Sequence, residues 1–199
     1  TPKPSSAASD VYKRQGKLRP SLEDTGIYPR VENGELPIWI ATGGTPESSL
    51  RAGAFGLPIT YAIIGGNPRR FARNIEIYKS IALSYGHDPS KLPIGVHSWG
   101  YVAETDEQAK REFFPSLKAH QDIIGKERGW PAFDENAFER EIGSHGAIYL
   151  GSPETVAQKI IDTIETLGIN RFMIHTPVGS MPHEYVTVSY THLTLPTKA

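Results

Sequence analysis

Short apolar runs alternate along the chain with longer segments whose apolar residues recur at helical spacing. Apolar residues at consecutive positions are typical of parallel strands that helices bury on both faces. The runs predict four strands, over residues 38–42, 59–64, 94–102 and 172–176. Helices are predicted after the first three strands, and the second and third cover residues 69 to about 85 and about 107 to 125.

Further helical signals lie between the third and fourth strands. Residues 136–142 predict a short helix. Ser152 and Pro153 predict the start of a longer one, as N-cap and first helical residue, and Gly168 predicts its end. Its apolar stripe predicts core packing at Val156, Ile160, Ile161, Ile164 and Leu167.

Repeated strand–helix units with short turns predict a parallel α/β fold. Four such units are half of a (β/α)8 barrel, a fold that takes about 250 residues when complete. An open doubly wound sheet of four or five strands is the alternative, and it would be complete at the 199 residues of this chain.

Composition narrows the function classes. A net charge of −1 provides no electrostatic basis for binding nucleic acid or an anionic membrane. The absence of cysteine excludes disulfides, zinc ribbons and thiol nucleophiles. No apolar run reaches the roughly 20 residues of a membrane-spanning helix, and no secretion signal is evident, so the expected location is cytoplasmic. No His, Asp or Glu pair has metal-site spacing, so no metal is expected.

Both ends differ from the rest of the chain. Residues 1–15 lack periodicity, and residues 188–199 are rich in threonine and fit no neighbouring element. Both resemble translated sequencing-adapter read-through, so we expect a non-native leader and tail around a native core of residues 16–187. Genuine disordered tails are the alternative. Residues 16–35, with several Pro and Asn-Gly breakers, predict a loop.

The most informative stretch is Gly43-Gly44-Thr45-Pro46-Glu47-Ser48, here called the first glycine turn, between a predicted strand and a predicted helix. Thr45 is a suitable N-cap and Pro46 suits the first helical position. Uncovered N–H groups and the helix dipole make such a turn an anion site. The same residues also suit an ordinary βα turn that binds nothing.

These motifs, taken in order, resemble the luciferase-like monooxygenases, a family of flavin-dependent oxidoreductases. The likeness covers roughly residues 16–187, and its motifs lie at residues 36–48, 56–58, 62–71, 96–98, 102–106, 151–157 and 171–174. The resemblance implies a (β/α)8 barrel of which this chain carries strands five to eight. It also implies that the first-half strands, with most catalytic residues, are absent, so the chain alone is expected to be inactive.

The resemblance implies FMN as cofactor, with F420 as the alternative, at the C-terminal ends of the strands. The positions that would contact the flavin phosphate are Gly43, Gly44, Thr45 and Ser48, with the Gly44 and Thr45 backbone N–H groups as donors. Ile63 would lie against the isoalloxazine ring.

Three histidines are candidate catalytic groups: His97 and His175 within predicted strands, and His183 on the expected rim of the active site. Arg69 and Arg70 predict a solvated first helical turn.

The implied activity is oxygenation of a small organic substrate by reduced flavin and O2, with electrons from NAD(P)H or a partner flavin reductase. The resemblance makes a homodimer the candidate assembly of the full-length protein and leaves the oligomeric state open. Two alternatives remain: an enzyme that holds a sugar phosphate at its glycine turns, and a flavin-binding protein without catalytic activity.

Overall fold

The computed structural model describes residues 11–14, 18, 20–26, 28–29, 32 and 36–194. The chain divides into two compact units, residues 1–39 and residues 40–199. In the first unit, β1 (Val11–Arg14) and β2 (Leu22–Gly26) form an antiparallel pair. The loop predicted over residues 16–35 is therefore wrong at β2, and β1 lies within the predicted leader. The predicted Asn33-Gly34 breaker lies outside the described residues.

The second unit contains the remaining elements. Its strands are β3 (Ile40–Thr42), β4 (Ile59–Ala62), β5 (Ile94–Val102), β6 (Tyr149–Gly151) and β7 (Arg171–His175). Its α-helices are α1 (Pro46–Phe55), α2 (Ala72–Ser84), α3 (Asp106–Arg128), α4 (Glu135–Ile142), α5 (Pro153–Leu167) and α6 (His183–Thr194). Two 3₁₀ turns, Pro68–Phe71 and Pro89–Lys91, precede α2 and β5.

All pairings in this second sheet are parallel. β4 lies between β3 and β5, and β7 pairs with β5 so that His97 is opposite Met173. β6 pairs with the last residues of β5, from Gly100 to Val102. The principal strands thus follow one another in chain order, β3–β4–β5–β7. A doubly wound sheet reverses its strand order at a switch point, so this order excludes the open-sheet alternative and is that of consecutive barrel strands.

One face of the sheet carries the larger hydrophobic core. Ile59 and Tyr61 of β4 pack with Ala52 of α1, Tyr78 of α2 and Leu167 of α5. This helix-side face buries large apolar side chains because three helices return across it after their strands, as the alternation predicts. A second core lies under α3, where Tyr101 stacks on Phe113 with ring centroids 5.8 Å apart.

Several predicted helix ends are confirmed. Ser152 Oγ accepts a hydrogen bond from Thr155 N at 3.2 Å at the start of α5, and Gly168 ends it with a φ of +60°. At α1 the prediction holds for position only, because Thr45 makes no side-chain capping bond to the helix backbone. In the α5 stripe, Ile161 is 46% exposed, so its predicted core role is wrong, and Thr163 is buried instead.

Three further differences concern short or terminal elements. The first predicted strand begins at Ile40 rather than residue 38, and β6 has no counterpart among the predictions. α6 extends to Thr194, into the predicted tail, where the buried Ser189 Oγ accepts a hydrogen bond from Val102 N at 2.9 Å. Residues 195–199 of that tail lie outside the described residues. Within the part of the chain that is described, no helix combines the length and apolarity needed to cross a membrane.

Candidate functional site

The candidate site lies at the end of the sheet where the parallel strands finish. β3 ends at Thr42 and leads directly into the first glycine turn, while β7 ends at His175. In parallel α/β folds, ligands bind outside the carboxyl ends of the strands, because the loops that can vary meet there. The turn and the ends of β4, β5 and β7 therefore form the edge of the sheet at which a ligand is expected.

Hydroxyl groups link the residues of the first glycine turn. Thr45 Oγ1 lies 2.8 Å from Ser48 Oγ and 3.3 Å from Thr42 Oγ1. Thr42 Oγ1 also accepts a hydrogen bond from Gly44 N at 3.1 Å. The Gly44 N–H, predicted as a donor to the flavin phosphate, thus donates within the turn in this structure. In the described part of the chain, the backbone N–H groups of Thr45 and Glu47 have no hydrogen-bond partner.

Gly44 is the sterically constrained residue of the turn. Its φ is +109°, and a Cβ built there would lie 2.8 Å from Cε1 of Phe71. Its carbonyl oxygen accepts a hydrogen bond from Asn74 Nδ2 at 2.6 Å, and this bond links the turn to α2. Gly43 has nothing within 4 Å of a built Cβ. Backbone at Gly43 is thus open to a ligand, whereas Gly44 shapes the turn by contact with the core.

The other two glycine turns at helix starts already hold carboxylates of this chain. At Gly66, both Glu141 oxygens accept hydrogen bonds from the backbone N–H at 3.0 Å. Before α5, Asp106 Oδ1 accepts from Ser152 N at 2.6 Å, and this bond is the main cause of the lowered pKa of Asp106. The first glycine turn binds no carboxylate among the described residues. Its exposed donors therefore fit an external anion such as a phosphate monoester.

Alternation along the strands places Ile63 away from this site. Ile59, Tyr61 and Ile63 are fully buried in the helix-side core, whereas Ile64 is 56% exposed. Successive side chains on a strand face opposite sides. The expected contact between Ile63 and a flavin ring is therefore inconsistent with its position in the helix-side core, and Ala62 and Ile64 belong to the opposite, inner face.

The inner face and α3 together carry a contiguous set of rings, here called the imidazole–indole cluster: His97, Trp99 and His175 on the strands and His120 on the helix. The His97 and His175 centroids are 5.3 Å apart, Trp99 and His175 are 4.5 Å apart, and Trp99 and His120 are 5.7 Å apart. All four side chains are half-buried. Burial and the neighbouring His175 lower the pKa of His97, which favours its neutral imidazole.

The structure thus brings two of the three predicted histidines together. His183 is exposed at the start of α6 and makes no ring contact with the cluster. Trp99 and His120 belong to the cluster but are not among the site residues predicted from the sequence. Trp99 follows His97 at the i+2 spacing of one strand face, which the sequence displays, whereas His120 reaches the cluster from α3 by tertiary packing. Arg69 and Arg70 are exposed, as predicted. The described ranges contain no group of three or more His, Asp or Glu side chains able to hold a metal ion.

Comparison with known proteins agrees with the fold. The model of the luciferase-like monooxygenase family matches residues 7–171 of this chain. The chain belongs to this family. The predicted resemblance is therefore confirmed. No curated protein matches the chain significantly.

Solved structures show the same fold at low sequence identity. The monooxygenase RslO1 of Streptomyces bottropensis has a TM-score of 0.66 and 20% identity, covering 94% of this chain and 54% of RslO1. The oxygenating constituent of 3,6-diketocamphane monooxygenase from Pseudomonas putida, in complex with FMN, has a TM-score of 0.54 and 19% identity, covering 84% of this chain and 52% of that protein.

A third structure is the coenzyme F420-dependent tetrahydromethanopterin reductase of Methanopyrus kandleri. It has a TM-score of 0.56 and 13% identity, covering 90% of this chain and 56% of that protein. The chain therefore spans about half the length of the structures it matches. The parallel strand order together with these matches confirms the prediction of half a luciferase-like (β/α)8 barrel.

Proposed function

We propose that this chain forms the phosphate-binding half of a flavin-dependent oxidoreductase, a monooxygenase that uses reduced FMN and O2 on a small organic substrate. Family membership supports the flavin, and the complex of the Pseudomonas putida relative supports FMN. F420 is the alternative cofactor, as in the Methanopyrus kandleri reductase. Electrons would come from NAD(P)H, directly or through a partner reductase. When bound, the flavin supplies the redox chemistry.

The observation that carries the proposal is the contrast among the three glycine turns. Glu141 and Asp106 already accept hydrogen bonds from the backbone of two of them, while among the described residues no carboxylate accepts one from the first glycine turn. The Thr45 and Glu47 N–H groups and the Thr45 and Ser48 hydroxyls would donate to the flavin phosphate. Gly43 would allow close approach, since nothing lies within 4 Å of its built Cβ.

The inner face would contact the rest of the flavin and the substrate. Ala62 at the end of β4 and Ile64 just beyond it, rather than Ile63, are the side chains that would face this side. His97 and His175 are the proposed acid–base groups, because each is half-buried on this face and neither has a hydrogen-bond partner among the described residues. His183 would be a further acid–base group at the rim of the site. These roles require only that the imidazoles donate or accept one proton near neutral pH.

Binding of FMN and riboflavin by the purified chain tests the phosphate assignment, because the two ligands differ only by the phosphate. By isothermal titration we expect FMN to bind at least tenfold more tightly than riboflavin. A hydrogen bond to a charged group contributes about 1.5–3 kcal/mol. The double variant Thr45→Ala/Ser48→Ala should therefore weaken FMN binding by about 10- to 100-fold and leave riboflavin binding unchanged.

Two further variants sharpen this test. Glu47→Gln removes an exposed carboxylate from the first turn of α1, and it should tighten FMN binding about two- to fivefold by removing repulsion. Thr187→Ala is the matched control, an exposed threonine on α6 whose hydroxyl donates to His183 O rather than to any residue of the turn. Equal affinity for FMN and riboflavin would refute the phosphate site. Preferential binding of ribose 5-phosphate over FMN would favour the sugar-phosphate alternative.

A further inference from the structure

The imidazole–indole cluster offers aromatic rings and ring nitrogens that the proposed phosphate site does not use. It runs from His97 on β5 through His175 on β7 and Trp99 on β5 to His120 on α3. Successive rings meet edge to face, with interplanar angles of 87°, 78° and 63°. A continuous edge-to-face series of four half-buried rings offers π surface to a further ring, which would extend the same packing.

The ring nitrogens of the three imidazoles form no hydrogen bond with any residue in the described ranges. Buried polar atoms normally have protein or water partners, and these three imidazoles are half-buried. A neutral imidazole has one N–H donor and one acceptor nitrogen. The lowered pKa of His97 is consistent with this neutral form. A hydroxyl group, which also donates and accepts, matches this pattern better than a carboxylate, which only accepts.

An apolar side chain lies beside the cluster on β7, and a loop packs next to the cluster on α3. Met173 lies opposite His97 in the β5–β7 register and shares its face. The loop after β7 lies close to α3. A Cβ at Gly179 would lie 2.9 Å from Ser116 O and 3.3 Å from His120 Cβ. The loop backbone therefore packs directly against α3 next to His120.

We propose that the imidazole–indole cluster is the substrate surface of this protein and that it takes a planar aromatic substrate carrying a hydroxyl group. This inference rests on the proposed function for the reaction, while the ring-binding surface itself rests on the cluster geometry. The aromatic ring packs against Trp99 and its neighbours. The hydroxyl group exchanges hydrogen bonds with the ring nitrogens of His97 or His175.

The test uses 2-naphthol as the hydroxylated aromatic probe and decahydro-2-naphthol as its saturated match. Side-chain nitrogen NMR of 15N-histidine-labelled protein reads out each imidazole separately. We expect 2-naphthol to shift the His97, His120 and His175 signals and leave His87 unchanged, because His87 packs against Gly56 on α1. The saturated alcohol should bind at least fivefold more weakly, as expected for the loss of aromatic contacts.

Variants at Trp99 distinguish binding that requires an aromatic ring from binding that requires only an apolar side chain. Trp99→Leu should weaken 2-naphthol binding at least fivefold, while Trp99→Phe retains a ring and should retain most of the affinity. Trp130→Leu is the matched control, since Trp130 lies beyond the end of α3 and contacts Arg128 instead of the cluster. Circular dichroism of each variant confirms that the fold is kept.

Three results would overturn the proposal. Equal binding of the two alcohols would show selection for apolar volume alone, and shifts confined to other histidines would place the probe elsewhere. Competitive displacement of 2-naphthol by riboflavin would assign the cluster to the flavin ring. The proposed function fails separately, through loss of the FMN preference over riboflavin. The aromatic surface would stand if 2-naphthol still bound in that case.

Discussion

Replacement of Gly44 by alanine tests the structural basis of the first glycine turn. At φ +109° an L-residue lies outside the left-handed well near +57°, and such strain costs on the order of 1–3 kcal/mol. The new Cβ would also lie 2.8 Å from Phe71, whose ring is buried and packs edge to face on Tyr61. Overpacking of this kind costs about 1–3 kcal/mol. We therefore expect Gly44→Ala to lower the free energy of unfolding by about 2–6 kcal/mol.

The adjacent glycine provides the matched control. Gly43 has no atom within 4 Å of a built Cβ and no positive φ, so Gly43→Ala should change the free energy of unfolding by less than about 0.5 kcal/mol, as at other unconstrained surface positions. Urea denaturation followed by circular dichroism measures both, provided that the slope m is unchanged. Equal losses for the two variants, or a loss below 0.5 kcal/mol at Gly44, would refute the argument from φ and the Phe71 contact.

Three further predictions concern ionisable groups. Glu141→Ala should destabilise the chain by about 1–3 kcal/mol in urea denaturation, because the partly buried N–H of Gly66 and the buried N–H of Ala147 lose their acceptor. Glu139→Ala on the same helix removes only a surface ion pair and should cost under about 1 kcal/mol. By NMR titration the pKa of His97 should lie below its ordinary 6.5 and rise in His175→Gln, so stability should fall as pH drops through about 6.5. The pKa of Asp106 is lowered from its ordinary 3.8, so in urea denaturation its contribution to stability should be complete above about that pH and be lost as the pH falls from there through the lowered pKa.

Much of the fold follows from local pattern. The bounds of β5 are as predicted, and α5 begins and ends where its cap and glycine indicate, because both signals act over a few residues. β6 was missed since three residues carry no periodicity, and it exists only because β5 extends far enough to pair with it. β2 was missed because its sequence, LEDTG, lacks the apolar alternation of a strand, and its partner supplies the pairing.

The site followed from the sequence in part. Residue types alone identified the first glycine turn as a donor-rich helix start and His97 and His175 as strand histidines. The position of Ile63 was not predictable with the same ease, since a continuous apolar run conceals which of two neighbours faces the helices; burial on the helix side decided it. The contact of His120 with Trp99 spans two elements and carries no local signal.

The sequence by itself determined the parallel α/β class, the family and the glycine turns, because these depend on residue type and spacing within short segments. Only the tertiary structure decided which glycine turns donate backbone hydrogen bonds to carboxylates of this chain. Glu141 reaches Gly66 from 75 positions away, and Asp106 reaches Ser152 from 46. Such contacts arise when separate elements pack together, so no local pattern records them. Among the described residues, they leave the turn at Gly43–Ser48 as the one of the three whose backbone donates to no carboxylate.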